Sequence, residues 1–329
     1  MNSQSTLTRR GFLGAAGAAA LAASIGRGGR AWAESGNAIA TSPHVAQPFR
    51  FVHLTDIHVE PELQGGQGFR KCLDAVHALD PRPDFVLSGG DLVFDILSQS
   101  EPRAKELFDL YLSIKKDCDI PWHECIGNHD VFGWSSKSKI APDHASYGKK
   151  MVQERLGLER TTYSFDHKGW HLCVVDDIQP LKGQAGYEGG FSEEDLHFLD
   201  NDLKAAASAP KILCTHIPVM TVTVFRNAEA KKSDPHLSVS ALDMCRNPGA
   251  ILKLLHQHRV NLVLTGHQHE NETLVYEHTT HIEDAAVCGA WWRGPHNGFP
   301  EGFGVIDVRA DGTFEHQYQT YGWKADAKG

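Results

Sequence analysis

Five short apolar runs in this chain are each followed at once by residue types that bind metal ions. After Phe51–Thr55 come Asp56, Ile57 and His58, and after Asp84–Ser88 come Gly89, Gly90 and Asp91. After Trp122–Ile126 come Gly127, Asn128, His129 and Asp130. His216 follows Lys211–Thr215, and Gly266, His267, Gln268 and His269 follow Val260–Thr265. Imidazole, carboxylate and amide oxygens suit manganese, iron, zinc, nickel or cobalt, and the absence of Cys from the set disfavours a thiolate site. Each fragment alone is weak, since a lone Asp-x-His is common and a strand His is more often packed than ligating. The five in order are a different signal, because such clusters at strand ends rarely arise for packing. Glycines before Asp91, Asn128 and His267 allow a sharp turn without a Cβ clash.

The runs read as buried strands, and the segments between them carry helical spacing. Helices are expected around Phe69–Leu79, Arg103–Asp117, Tyr147–Leu156 and from Ser192, read as the N-cap, to Ala207. Thr162–Phe165 and Trp170–Asp176 read as a hairpin turning at His167-Lys168-Gly169, and Arg309–Thr313 closes another near the end. The fold class is therefore α/β. In an open α/β sheet, ligands gather beyond the carboxyl ends of the strands, which would bring the five fragments to one place.

The ordered set Asp-x-His, Gly-Asp, Gly-Asn-His-Asp, strand-final His and Gly-His-x-His resembles the calcineurin-like metallophosphoesterase family over about residues 51 to 270. The resemblance implies a four-layer α/β/β/α sandwich with the site at the carboxyl ends of the strands. It implies two divalent or trivalent transition-metal ions, manganese, iron or zinc. Asp56, His58 and His269 would hold one ion, Asn128, His216 and His267 the other, and Asp91 would bridge them. A hydroxide between the two metals would attack phosphorus in line, with His129 protonating the leaving oxygen or steadying phosphoryl charge. The implied activity is phosphoester hydrolysis of a small phosphorylated substrate, as a diesterase or a monoesterase. The alternative is an inactive metal-binding or sensory relative, although all seven ligand positions and His129 are intact. The purple acid phosphatase branch places a Tyr three residues after the Gly-Asp aspartate, where this chain has Phe94. The protein Ser/Thr phosphatases place an Asp there to orient the catalytic His. Here Asp95 is one residue later, which leaves the orienting partner of His129 open.

Beyond the metal set, Gly289–Pro295 with Trp291, Trp292 and Arg293 looks similar to the C-terminal part of some exported bacterial relatives. Arg293 either contacts a substrate phosphate bidentately or lies stacked on one of the two indoles. His53, inside a strand, reads as structural. The loop from Trp134 to Lys150 reads as solvated rather than as a rim of the entrance.

Composition bounds the rest. Apolar residues at 41% and charged residues at 22% of 329 exclude a disordered polymer and a multispan membrane protein. Residues 1 to 33 hold four Arg and no acid, so removing them takes the net charge from −9 to −9 − 4 = −13. That balance gives no reason to expect a nucleic-acid partner. Thr8-Arg9-Arg10-Gly11-Phe12-Leu13, an Ala/Gly-rich run and Ala31-Trp32-Ala33 resemble a twin-arginine export signal with its cleavage site. Only 16 residues separate Arg10 from Arg27, short of the roughly 20 apolar residues of a membrane span. The expected division is a signal over 1–33, a linker over 34–49 and a phosphoesterase domain over 50–322, strand-rich from about 276. The export machinery is the expected partner, with no stable membrane span after cleavage and a periplasmic or secreted product. Seven scattered Cys argue against a disulfide scaffold, and Cys118 and Cys125 read as buried free thiols.

Overall fold

The computed structural model describes residues 45–228 and 239–325. The expected signal and most of the expected linker lie outside the described residues. The first half of the chain runs β1 (Phe49–Leu54), α1 (Gly65–His77), β2 (Val86–Gly89), α2 (Glu101–Lys115), β3 (Trp122–Cys125) and α3 (Lys150–Leu156). It continues with β4 (Tyr163–His167), β5 (Trp170–Val174), β6 (Ile178–Pro180), β7 (Tyr187–Gly189), α4 (Glu193–Ala205) and β8 (Lys211–Cys214). The rest is α5 (Val224–Ala228), α6 (Pro248–His258), β9 (Leu262–Thr265), β10 (Glu272–Tyr276), β11 (Thr279–Glu283), β12 (Gly302–Val308) and β13 (Phe314–Thr320).

Two mixed sheets result, ordered β13-β12-β1-β2-β3 and β10-β11-β9-β8-β5-β4, with β6 and β7 as a separate pair. Strands β1, β2 and β3 are mutually parallel, as are β5, β8, β9 and β11. Side-chain alternation then builds the layers. Phe51, Phe85 and Leu87 of the first sheet meet Leu172, Val174, Ile212, Leu262 and Leu264 of the second in one core. The opposite faces, Val52, Leu54 and Val86 on one side and Cys173, Leu213 and Val263 on the other, pack under α1 with α2 and α4 with α6. The order is helices, sheet, sheet, helices, a four-layer α/β sandwich.

Ser192 caps α4 by accepting a hydrogen bond from the Asp195 amide at 3.0 Å. The helix expected from Tyr147 starts only at Lys150, because Gly148 has φ 72° and pairs with Phe132 in a bridge. Helix α6 and the β10–β11 hairpin escape a pattern-based reading. Exposed Val275 and Tyr276 break the apolar alternation of β10, an edge strand with little burial to enforce it.

His53 is structural, as its strand position implies. Its Nδ1 meets Asp284 Oδ2 at 2.8 Å and His316 Nε2 meets Asp284 Oδ1 at 2.7 Å, with His53 and Asp284 buried and His316 partly buried. Gly304 makes the room, since a Cβ there would stand 2.2 Å from Asp284 Oδ2. Burial alone would push the His53 imidazole down, but the hydrogen bond to Asp284 and the neighbouring Cys214 thiol lift it to about 9. Burial would raise Asp284, yet His316 and His53 hold it at about 2. A raised imidazole contributes stability that is complete below its unfolded value near 6.5 and is lost as pH rises through about 9. The lowered carboxylate contributes above 3.8 and fades as pH falls through about 2. Asp284→Asn leaves two histidines facing a neutral group, and about 3–5 kcal/mol of stability should go with the buried pair. Urea unfolding at pH 6 measures that loss, and the decline of the wild-type protein between pH 6.5 and 9 should flatten in the variant.

Candidate metal centre

The segments leaving β1, β2, β3, β8 and β9 meet at one edge of the two sheets and are tied by main-chain bonds. Asp56 N donates to Gly90 O at 3.0 Å, His58 N to Asp91 O at 2.9 Å, and Gly266 N to His216 O at 3.0 Å. The chain after β11 joins them, with Val287 N on Thr55 O and Cys288 N on Asp56 O. Five of the seven expected ligands, Asp56, His58, Asp91, His267 and His269, sit at φ between 43° and 79°. Left-handed backbone at non-glycine residues is costly and concentrates where a site over-determines it. Of the glycines expected to permit sharp turns, only Gly90 has positive φ, at 97°. Gly127 has φ −109° and is required instead for space, since a Cβ there would fall 2.1 Å from Asp91 Oδ1. A Cβ at Gly266 would fall 2.3 Å from Asp56 Oδ2.

All seven side chains converge in two groups. In the first, His58 Nε2 lies 3.2 Å from His269 Nε2 and 3.8 Å from Asp56 Oδ1, and His269 Nε2 lies 3.3 Å from the same oxygen. In the second, His216 Nε2 lies 3.1 Å from Asn128 Oδ1 and 3.3 Å from His267 Nδ1. Asp91 Oδ2 stands between them, 3.5 Å from His58 Nε2 and 3.2 Å from His216 Nε2. Its other oxygen is pinned by the His129 amide at 2.8 Å.

The donor set fits a pair of cations. His58, His216 and His269 donate Nδ1–H to the carbonyls of Phe94, Gly89 and Gly289 at 3.0, 2.7 and 2.6 Å, which fixes the tautomer and turns each Nε2 lone pair inward. His267 is reversed, donating Nε2–H to Leu242 O at 2.6 Å and presenting Nδ1. Ring nitrogen therefore faces ring nitrogen across about 3 Å, an arrangement that positive charge at this point relieves, from a metal ion or from protons on His216 and His269 in its place. Asp56 Oδ2 accepts from Thr55 Oγ1 and the His267 amide, while buried Asp56 Oδ1 has no hydrogen bond. Burial pushes His58 down to about 3 and His267 to about 4, so both offer the neutral imidazole that a metal requires. Burial opposes the charge on Asp91 and Asp56, but His216 and His269 hold both carboxylates well below their usual range. Burial also works against the charged form of His216, which Asp91 nevertheless lifts to about 10.

Two further residues belong here. Asp95 Oδ1 meets His129 Nδ1 at 3.3 Å, so the orienting partner left open in the sequence is Asp95. The main chain accommodates its shift of one residue: Ile96 N donates to His129 O at 2.9 Å, and so the two loops run side by side. The Cys288 thiol lies with His58 and His269, their ligand atoms within 4.8 Å of one another. Burial raises that thiol, and its position after β11 gave no spacing signal. Arg293 is exposed, its Nη1 at 3.4 Å from the Trp291 carbonyl.

The sequence profile of the calcineurin-like phosphoesterases matches residues 49–271. The chain belongs to the calcineurin-like phosphoesterase family. It is a phosphoric ester hydrolase of a class that works with a dinuclear metal centre. It is similar to a probable cyclic nucleotide phosphodiesterase of Xenorhabdus bovienii, 21% identical over 80% of this chain and 96% of that one. It is also similar to a 3',5'-cyclic-nucleotide phosphodiesterase of Nostoc, 24% identical over 81% and 90%. Among solved structures, a dimetal phosphatase from Danio rerio shares the fold with a TM-score of 0.56 at 15% identity, over 83% of this phosphoesterase and 99% of that chain. A purple acid phosphatase from yellow lupin shares it with a TM-score of 0.52, also at 15% identity, over 85% and 52%.

Proposed function

We propose that this phosphoesterase is a phosphodiesterase acting on small molecules, cyclic nucleotides among them, with Asp56, His58, His269 and Asp91 holding one metal ion and Asn128, His216, His267 and Asp91 the other. The observation that carries the reading is the single Asp91 oxygen facing both histidine groups. Similarity to two cyclic nucleotide phosphodiesterases over most of their length supports the diester. When bound, two such ions supply Lewis acidity for the phosphoryl oxygens and acidify a water as nucleophile. Manganese, iron and zinc all suit this nitrogen and oxygen set.

The chain's own part is to position and to move a proton. Asp95 accepts Nδ1–H of His129, which leaves Nε2 as the atom that gives a proton to the departing oxygen. The ring stands edge-on to His58 at 4.9 Å, beside the first group. Turnover of cyclic AMP, bis(p-nitrophenyl) phosphate and p-nitrophenyl phosphate by protein loaded with manganese, iron or zinc tests the reading. Diesters are expected to be preferred, and activity on the monoester alone would overturn it. No turnover of any of the three would favour a metal-binding role.

The proposal extends to location. The Arg9-Arg10 pair, uncharged run and small-residue cleavage site support twin-arginine export to the periplasm. Arg9→Lys with Arg10→Lys is expected to leave the protein in the cytoplasm with its leader uncut, as fractionation and intact mass would record. Unchanged export would sink the assignment.

A further inference from the structure

The loop between β11 and β12 carries two adjacent tryptophans in left-handed backbone, Trp291 at φ 49° and Trp292 at φ 67°. Bulky side chains avoid this region, and two in succession need a strong local reason. Trp292 supplies the anchor. Its side chain is buried, its Nε1–H donates to the His58 carbonyl at 2.9 Å, and α1 leaves it a slot of glycines. A Cβ at Gly68 would stand 2.2 Å from its ring, and one at Gly65 2.9 Å from its Nε1. The turn is closed around it by Trp292 N on Cys288 O at 2.8 Å and Ala290 N on Gly294 O at 2.8 Å.

With Trp292 fixed inward, the turn sets Trp291 against the metal-facing histidines. Its ring centroid lies 4.5 Å from that of His269 and 5.7 Å from that of His58, and His296 stands edge-on to it at 5.9 Å. The indole is only partly buried. A flat, electron-rich surface thus borders the first ligand group. A packing role alone would not need this, because an aliphatic side chain would cover His269 as well.

We propose that Trp291 is a specificity-determining residue whose indole is the platform on which the nucleobase of a nucleotide substrate stacks while its phosphate sits at the two ligand groups. This rests on the phosphodiesterase reading given above. Every base offers a π-face, so the platform favours nucleotides over esters of non-planar alcohols without selecting among bases.

The experiment uses the full mature chain, loaded with manganese. Equilibrium dialysis measures the affinity for adenosine 5′-monophosphate and for inorganic phosphate, and kinetics compare cyclic AMP with glycerophosphoethanolamine. For Trp291→Leu, the affinity for the nucleotide should fall relative to phosphate by about 5- to 150-fold, the range of base–aromatic stacking. KM for cyclic AMP should rise relative to the glycerol ester by a similar factor, and kcat should change little. Trp291→Phe should recover most of the difference. Metal content is measured alongside, and if Trp291→Leu loses metal, the same ratios are read on Trp291→Met, which keeps bulk against His269 without a π-face.

Equal weakening of nucleotide and phosphate would overturn the inference and make Trp291 a support of the histidines. So would a wild-type protein that binds the nucleotide no better than phosphate. A wild-type protein that hydrolyses no diester would instead defeat the phosphodiesterase reading, and the binding ratio would still decide the platform.

Discussion

Asp91→Asn is expected to strip the protein of both metal ions and to lower kcat by about 10³-fold or more, several kcal/mol of lost transition-state stabilisation. The wild-type protein should hold close to two ions per chain after reconstitution with manganese or zinc. The reason for the double loss is that one Asp91 oxygen faces His58 and His216 together, at 3.5 and 3.2 Å. Asparagine keeps the shape but removes the negative charge, and it can turn an NH₂ towards two imidazole groups that require a cation. His58→Ala removes a donor from one group only and should leave close to one ion. Metal analysis of the three proteins separates the cases. One ion or none in the wild type contradicts the dinuclear assignment, and small, equal losses in both variants contradict the shared oxygen.

The convergence of these residues was largely legible because strand ends carry the signal. A parallel βαβ arrangement delivers every carboxyl end to the same edge, so five fragments far apart in sequence had one place to meet. Asp56, His58, Asp91, Asn128, His216, His267 and His269 do meet there, in two groups. Chain order alone did not reveal what depends on loop geometry. Asp95 faces His129 only because the loops after β2 and β3 run side by side, an arrangement no spacing rule anticipates. Cys288 and Trp291 reach the first ligand group on a loop after β11 with irregular backbone, where neither helical nor strand periodicity applies. Gly127 and Gly266 were recognisable as glycines that matter, but their reason is the approach of Asp91 and Asp56 rather than backbone sign. The small edge elements were hidden for another reason: β6, β7 and β10 bury little, so their residues carry weak patterns.

The proton assigned to His129 should be detectable through the leaving group. Burial would lower this imidazole, but Asp91 and the hydrogen bond to Asp95 raise it above its ordinary value, so it stays protonated further into the neutral range. An alkoxide leaves poorly without a proton, whereas p-nitrophenolate needs little help. His129→Ala should therefore lower kcat on an alkyl phosphodiester by about 10²–10⁴-fold and on a nitrophenyl ester by considerably less. Metal content should be nearly unchanged, because the side chain bonds to Asp95 while its main-chain amide holds Asp91. Asp95→Asn should lower the pKa of the acid, so the alkaline limb of the pH profile on the alkyl ester should move to lower pH. Equal losses on both esters in His129→Ala would mean that the ring steadies phosphoryl charge instead of donating a proton. Loss of a metal ion together with the activity would make His129 a ligand, and the two-group arrangement would then have an eighth member.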